Sequence, residues 1–489
     1  MASTMTTEAA DRDAAPSPPS VLATGRGRAI LALLCAIAFM DFVDASIVNV
    51  ALPSIRRDLG FSVQSLQWVL SGYLLTYGGF MLLGGRAADL FGRRRVLIGG
   101  TALFALSSLT GGLAQSEGML IGARLAQGIG AAMMLPAALS LLTTTFTGRD
   151  RHVALGVWGG VAGLASAVGV LLGGVLSEGP GWRWVLLVNE PVCVAAVLVA
   201  LRLFADDRRR PPSAARLDVR GALLSTAGML LLVYTLVKAP DVGWGAGRTI
   251  GGLAGAVALL VAFVANEARV ADPLLPLSIF RVRGLAAADV TQLIGIAGII
   301  SMFFFLTLYM QNVLGWSQLN TGLAYLPLCF GVAIAAGVAS QLLVRIGTRP
   351  VMVGGALLAG AGLFLLSRVP VHGDYVRDLL PGLMVASFGL GSVFVAVTTA
   401  ANEGVPPEQA GLAAALLNTS QQVGGALGLA VFSALATSRT TSLLADHARP
   451  AEALTQGIHR ALLACALCLA AASLLALRTA NTRGEGAGQ

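Results

Sequence analysis

Residues 85–95 read Gly85-Arg86-Ala87-Ala88-Asp89-Leu90-Phe91-Gly92-Arg93-Arg94-Arg95, and this stretch joins two apolar runs, residues 65–88 and 96–115. Each run has the roughly 20 residues that an α-helix needs to cross the hydrocarbon core of a bilayer. Strands of an outer-membrane barrel are about half as long and alternate in polarity. The stretch therefore predicts two membrane-spanning helices joined by a short, arginine-rich loop.

The composition extends this interpretation to most of the chain. Its 489 residues are 56% hydrophobic and 12% charged, with a mean hydropathy of +0.77. A soluble domain carries about 25% charged residues, so water cannot be the main solvent of this chain. The same numbers exclude a disordered chain, and five cysteines, all within apolar runs, exclude a disulfide-stapled scaffold. We predict no metal site and no cofactor.

Fourteen apolar runs follow one another and predict an all-α polytopic membrane protein. Their approximate ranges are 29–52, 65–88, 96–115, 119–143, 153–177, 185–204, 218–237, 249–266, 284–309, 320–344, 350–368, 378–401, 409–436 and 457–478. The polar segment 205–217 contains Pro211-Pro212, which forbids a continuous helix. The predicted parts are a disordered cytoplasmic tail at 1–28, a six-helix bundle at 29–204, a cytoplasmic linker at 205–217, two inserted helices at 218–266, a second six-helix bundle at 284–478 and a cytoplasmic tail at 479–489.

The distribution of basic residues predicts the orientation. Of 33 basic residues, all arginine except Lys238, 22 lie in connections on the side of the termini, 9 in connections on the other side and 2 within helices. Because Lys and Arg accumulate in cytoplasmic loops, we predict a protein of the cytoplasmic membrane with both termini in the cytoplasm. The net charge of +8 then reflects topology, with anionic lipids as its partner and no surface for nucleic acid.

Four charged residues are predicted to lie inside the membrane, in one layer of its outer half. They are Asp41 and Asp44 in the first run, Arg124 in the fourth and Glu190 in the sixth. Buried charge is costly in a membrane and marks function by default. Three acids beside one arginine leave excess negative charge, so at least one acid should bind a proton near neutral pH. The alternative is a permanent Asp44–Arg124 ion pair that holds two helices together, with Glu190 bonded to backbone.

Asp289 receives a different interpretation. It lies about one turn inside the ninth run, on the cytoplasmic side, where its side chain can reach toward Arg281 or Arg283. We therefore predict a structural role for it.

The loop at residues 85–95 is a candidate cytoplasmic gate, formed by Gly85, Asp89, Gly92, Arg93 and Arg94. The glycines allow a tight turn, and one acid among arginines can pair with a neighbouring helix or a helix N-terminus. Such a latch would break when that side of the protein opens. A cluster that only sets topology would explain the arginines but not the acid or the glycine spacing.

Several motifs resemble those of the major facilitator superfamily. Residues 85–95 resemble its signature loop, residues 120–130 its fourth-helix motif, and residues 44–53 the first-helix motif of its drug:proton antiporters. Residues 182–184, 189–191, 308–311 and 314–315 resemble the fourteen-helix branch. The resemblance covers residues 41–422. It implies the major facilitator fold with 14 transmembrane helices, arranged as 6 + 2 + 6, and a multidrug or antibiotic efflux pump that works as a proton antiporter.

The chain departs from this family pattern at two positions. The antiporter motif of the fifth helix keeps Gly169, Gly173 and Gly174, but Val170 stands where the family has proline. Close helix contact is expected to survive through the small residues, whereas the proline kink and the leak barrier attributed to it are in doubt. In the sixth helix, Glu190 replaces an apolar residue, which could favour cationic substrates or supply a second proton site.

The resemblance implies alternating access without ATP or any cofactor. Protons from outside would reach Asp44, with Arg124 tuning its proton affinity and Asp41 or Glu190 as a second acceptor. The expected substrates are small and lipophilic, cations among them, and the protein is predicted to be a monomer and not an enzyme. Polar and aromatic side chains that could line a substrate cavity, or alternatively bond helices together, are Trp68, Tyr73, Gln127, Asn189, Gln292, Tyr309, Gln311, Asn418, Gln421 and Gln422.

Two other functions remain open from the sequence. One is a major facilitator carrier for an endogenous metabolite or lipid that is not driven by proton exchange. The other is a membrane enzyme or receptor, for which no connection between helices is long enough to hold a catalytic domain.

Overall fold

The structure is a computed structural model that describes residues 21–204, 218–281, 284–402, 410–479 and 481. The predicted linker at 205–217 and most of the two terminal tails lie outside these residues. The described part is helical and contains no strand.

Fourteen long helices are found in the described residues. In chain order they are α1 Gly25–Leu59, α2 Trp68–Phe91, α3 Arg93–Gly112, α4 Glu117–Thr145, α5 Gly148–Glu178, α6 Asn189–Leu203, α7 Val219–Val242, α8 Gly247–Glu267, α9 Leu285–Leu308, α10 Gln318–Ile346, α11 Thr348–Leu366, α12 Leu380–Asn402, α13 Ala410–Ala445 and α14 Pro450–Ala476. Short helical turns lie at Val21–Ala23, Val63–Leu66, Arg183–Leu187, Leu277–Arg281, Tyr309–Val313 and Tyr375–Leu379.

Twelve of the described helical stretches are long and apolar enough to cross a membrane. The two long helices outside this set are α3, which begins with Arg93-Arg94-Arg95, and α5, where the described apolar stretch is shorter. The count of fourteen spans and its 6 + 2 + 6 division therefore stay predictions. Several helices are longer than their apolar runs, α1 by several residues at each end, because solvated polar turns can continue a helix beyond the membrane core.

Local sequence explains where the first helices begin and end. The Thr24 side chain accepts a hydrogen bond from the Gly27 amide and so caps α1, which ends at Gly60 in a left-handed conformation, φ 77°. Gly92 separates α2 from α3 with φ 97°, a backbone angle that a residue with a Cβ rarely adopts. The tight turn predicted for the arginine-rich loop therefore depends on this glycine.

Side-chain contacts show which helix ends lie on the same side of the molecule. Arg26 at the start of α1 donates to the Leu203 carbonyl at the end of α6, 2.8 Å away, and Arg349 at the start of α11 donates to the Thr479 carbonyl after α14. We call this the terminus side and the opposite one the far side. An apolar core that includes Val50 of α1 and Phe304 of α9 joins the first six helices to α9–α14. Helix α7 packs against α8 and also against α2 and α13.

Candidate functional site

Asp44 of α1 and Arg124 of α4 form a fully buried ion pair. Arg124 Nη1 lies 2.7 Å from Asp44 Oδ2, and neither residue is exposed. The other carboxylate oxygen, Oδ1, accepts hydrogen bonds from Gln127 Nε2 at 2.9 Å and from Asn189 Nδ2 at 2.8 Å. Asp44 is therefore bonded on both oxygens by three side chains from α4 and α6.

Arg124 is held by more than this carboxylate. Its Nε donates to the Val69 carbonyl at 3.0 Å and its Nη1 also donates to Gln127 Oε1 at 2.7 Å. The guanidinium stacks on the Tyr73 ring, with Cζ 4.2 Å from the ring centroid. Its Nη2 is buried without a hydrogen-bond partner among the described residues. The guanidinium thus keeps one unused donor in a site that excludes water.

Asp41 lies one turn before Asp44 and has a different environment. The Tyr73 hydroxyl donates to its Oδ1 at 3.0 Å and the Tyr77 hydroxyl to its Oδ2 at 2.9 Å. Tyr73 therefore touches both halves of the site, with its ring on Arg124 and its hydroxyl on Asp41. No ion pair to Asp41 occurs among the described residues.

Ser108 of α3 completes the site, although the sequence analysis did not single it out. Its Oγ accepts hydrogen bonds from Asn189 Nδ2 at 3.0 Å and Gln127 Nε2 at 3.4 Å, and donates to the Leu186 carbonyl at 2.9 Å. A serine within an apolar helix carries no sequence signal of its own. The sequence offers Gln127, Asn189 and Tyr73 as residues that could line a cavity or bond helices together. In the structure, Gln127 and Asn189 donate to Asp44, and Tyr73 donates to Asp41.

Glu190 stays apart from the other three predicted charges. It is half-buried, and its Oε1 is buried without a hydrogen-bond partner in the part of the chain that the structure describes. Its neighbour Asn189 bonds to Asp44. Because successive helical residues point about 100° apart, the Glu190 side chain takes a different direction from the Asn189 side chain that bonds to Asp44.

The charged side chains of the loop at residues 85–95 contact neighbouring segments on the terminus side, and the role of the loop as a latch stays a prediction. Asp89 is mostly exposed and pairs with Arg93 of the same loop at 3.4 Å, while Arg94 donates to the Leu201 carbonyl of α6 at 2.9 Å. Arg86 lies 3.5 Å from Asp272, in the segment that follows α8. The loop thus contacts the first six helices and the connection after the α7–α8 pair.

The glycines of α5 allow two close helix contacts. A Cβ on Gly173 would lie 2.6 Å from the Ile47 carbonyl oxygen of α1, and one on Gly169 would lie 2.9 Å from that of Val43. On another face, a Cβ on Gly174 would lie 2.9 Å from the Gln318 carbonyl oxygen of α10. Helix α5 is continuous through Val170, so it has the close contacts of the motif without its proline.

The same region carries hydrogen bonds between the first six helices and α9–α14. Gln311 Nε2 donates to the Val50 carbonyl at 3.0 Å, and Gln318 Nε2 donates to Ser54 Oγ at 2.7 Å. The Leu319 amide, in the first turn of α10, donates to Glu178 Oε2 at the end of α5, 3.0 Å away. These bonds lie toward the far side, where α1 and α5 end and α10 begins.

The remaining predicted cavity residues are distributed. Tyr309 is buried and its hydroxyl donates to the Pro370 carbonyl, whereas Gln311 belongs to the contacts on the far side. Trp68, Asn418 and Gln421 are half-buried, and their place in a substrate cavity stays a prediction. A group of three or more metal-ligating side chains is absent from the described residues.

Residues 34–429 match the profile of the Major Facilitator Superfamily. The chain belongs to this superfamily. It is therefore an integral membrane transporter and not an enzyme, and the major facilitator fold predicted from the sequence motifs is confirmed.

Similar proteins of the superfamily include antibiotic resistance and export proteins. The puromycin resistance protein pur8 of Streptomyces alboniger is 42% identical over 435 residues, which cover 87% of this chain and 85% of that protein. The cephamycin export protein CmcT of Amycolatopsis lactamdurans is 40% identical over 427 residues, 86% of this chain and 88% of that protein. The predicted relation to the drug-efflux branch of the superfamily is thus confirmed.

Solved structures of other transporters share the fold. An auto-inhibited peptide transporter of the POT family superposes with a TM-score of 0.67 at 17% identity, covering 94% of this chain and 99% of that one. A bacterial homolog of the human lysosomal transporter Spinster, in an inward-facing conformation, gives 0.65 at 17% identity, covering 94% and 97%.

Proposed function

We propose that this chain is a proton-coupled antiporter that exports small lipophilic drugs or antibiotics across the cytoplasmic membrane, with both termini in the cytoplasm. The observation that carries the proposal is the buried Asp44–Arg124 pair, with Asp41 one turn away on the same helix. Buried acids in a membrane protein that uses no nucleotide are suited to binding transported protons. The names of the similar resistance and export proteins support the choice of substrate class.

The described conformation fits the inward-facing state of an alternating-access cycle. The hydrogen bonds between the first six helices and α9–α14 gather toward the far side, which would be the outer side. In this state Asp44 is paired with Arg124 and is the ionised partner. Protonation from outside would remove the charge that Arg124 faces, and would free Gln127 and Asn189 from that carboxylate. The cycle would then couple the proton on Asp44 to the arrangement of α1, α4 and α6.

A flux measurement in proteoliposomes tests this function. With protein reconstituted in one orientation and an acidic interior, we expect ethidium or puromycin to accumulate inside, and adding either substrate without a gradient to move protons in the opposite direction. A proton uncoupler should abolish accumulation. Accumulation that persists with the uncoupler and without a gradient would contradict proton antiport and favour a carrier driven otherwise.

Glu190→Gln is expected to reduce export of cationic substrates more than export of neutral ones. The side chain is half-buried with an unpartnered oxygen, so its charge can act on a cation without taking part in the Asp44 network. The measurement is the efflux rate of ethidium against that of a neutral substrate of similar size. Equal loss of both would argue for a structural role of Glu190.

A further inference from the structure

Another acid of the membrane-spanning region, Asp289, has no hydrogen-bond partner among the residues that the structure describes. Asp289 of α9 is 5% exposed, and both of its carboxylate oxygens are buried without a hydrogen bond to any described residue. Gln292, one turn further on, is also buried, and its Nε2 lacks a partner. An ionised carboxylate in such a place would be strongly disfavoured, because burial removes its hydration and no group replaces it.

Apolar side chains pack around the first turn of α9, next to Asp289. Leu285 and Ala288 belong to a core that also contains side chains of the turn before α9 and of α10–α14, among them Ile279, Leu343, Met352, Ala401, Leu416 and Ala476. Arg281 and Arg283 precede α9 in sequence, but their side chains lie outside the described residues. The predicted contact of Asp289 with these arginines is thus not seen.

The packing of α9 against α13 fixes the level of Asp289. A Cβ on Gly424 of α13 would touch the backbone of Leu293, and one on Gly428 would touch that of Ala297. In both contacts the residue of α13 is numbered 131 higher than the residue of α9, so the two helices run in the same direction. The same difference places Ser420 at the level of Asp289. Ser420 belongs to the half-buried polar stretch 418–422, which contains the candidate cavity residues Asn418 and Gln421.

We propose that Asp289 is a second proton-binding site of the transporter, located in α9–α14, and that it carries a proton in the conformation described here. A neutral carboxylic acid explains both the apolar surroundings and the missing partners. The site is separate from Asp44, whose oxygens are fully bonded and whose charge is balanced by Arg124. The two acids lie on different halves of the chain, Asp44 in α1 and Asp289 in α9.

A role of this site in coupling rests on the proposed antiport function. When α9 and α13 move further from the first six helices toward the terminus side than they lie in the described conformation, water can reach the polar stretch at 418–422 and with it Asp289. A proton that leaves Asp289 there would add to the proton exchanged at Asp44. We therefore expect more than one acid to contribute to the number of protons exchanged per substrate molecule.

Infrared spectroscopy of the reconstituted protein tests the proton without any transport. At neutral pH, the wild-type spectrum should contain protonated-carboxyl absorption that shifts in D₂O, and the difference spectrum between wild type and Asp289→Asn should show the loss of one such band. The exposed acid Asp446 provides the control, and Asp446→Asn should leave the band unchanged. If Asp289→Asn leaves the spectrum unchanged, Asp289 is ionised and the proposal is overturned. An ion pair between Asp289 and Arg281 or Arg283 would give this result, because it would keep the carboxylate ionised.

Counting protons tests the coupling. With ethidium as the probe, Asp289→Asn should exchange fewer protons per ethidium molecule than wild type, and Asp446→Asn the same number as wild type. An unchanged ratio in Asp289→Asn overturns its role in coupling. Wild-type protein that shows no proton exchange at all overturns the antiport function instead, and the infrared band still reports whether Asp289 holds a proton.

Discussion

Asp44→Asn is expected to abolish proton-driven efflux while the protein still inserts into the membrane. The substitution removes the carboxylate that binds the exchanged proton and leaves Arg124 buried without the one carboxylate that it contacts among the described residues. An unpaired buried charge costs about 3–5 kcal/mol, so we expect a large fall in thermal stability as well. The measurements are gradient-driven ethidium transport in proteoliposomes and unfolding of the purified protein in detergent. Dye transport at the wild-type rate would contradict the assignment.

A double variant separates the loss of coupling from the loss of stability. Asp44→Asn combined with Arg124→Gln removes both charges and leaves neutral groups that can hydrogen-bond with Gln127 and Asn189. We expect it to recover most of the thermal stability of wild type but none of its proton-driven transport. Recovery of both would mean that the pair is a permanent structural link, the alternative that the sequence left open.

Gly174→Val is expected to weaken closure on the far side and to slow transport strongly. The added Cβ would lie 2.9 Å from the Gln318 carbonyl oxygen and from Leu319 Cα, which are backbone atoms that cannot move unless α10 moves. Overpacking costs about 1–3 kcal/mol. An energy of this size shifts a two-state equilibrium by about 5- to 150-fold, here toward the state that is open on the far side.

The same helix provides a matched control for this prediction. Gly160 has no heavy atom within 4 Å of its ideal Cβ position, so Gly160→Val should leave transport near the wild-type rate. A cysteine introduced by Ser54→Cys, in a chain whose native cysteines are replaced, reports far-side opening through its labelling by an impermeant maleimide. Labelling should accelerate in Gly174→Val only. Equal slowing of transport by both valine substitutions would instead point to a general effect of valine in α5.

The sequence was most informative where a residue type is rare in membranes. Charges there are few, so Asp44 and Arg124 could be predicted as a site and placed at one depth from helix rise alone. The partners Ser108 and Tyr77 could not be predicted, because serine and tyrosine occur in membrane helices for many reasons. Depth in the membrane alone did not predict which side chains meet. Glu190 lies at the depth of Asp44, but the neighbouring residue Asn189 bonds to Asp44.

The irregular backbone after α9 also could not be predicted from the sequence. The sequence offers Tyr309 and Gln311 as residues that could line a cavity or bond helices together, and they lie in a π-helical turn at Tyr309–Val313 that follows α9. This turn directs one side chain to the Pro370 carbonyl and the other to Val50. Such turns are rare, and no side-chain pattern in residues 308–315 signals one.

The closure on the far side relies largely on main-chain atoms, among them the Val50 carbonyl, the Leu319 amide and the backbone that lies against Gly174. Main-chain atoms stay in place whichever side chain a residue carries. We therefore expect side-chain substitutions at Val50 and Leu319 to leave these contacts intact, so that the sequence at such positions can change while the closure is retained.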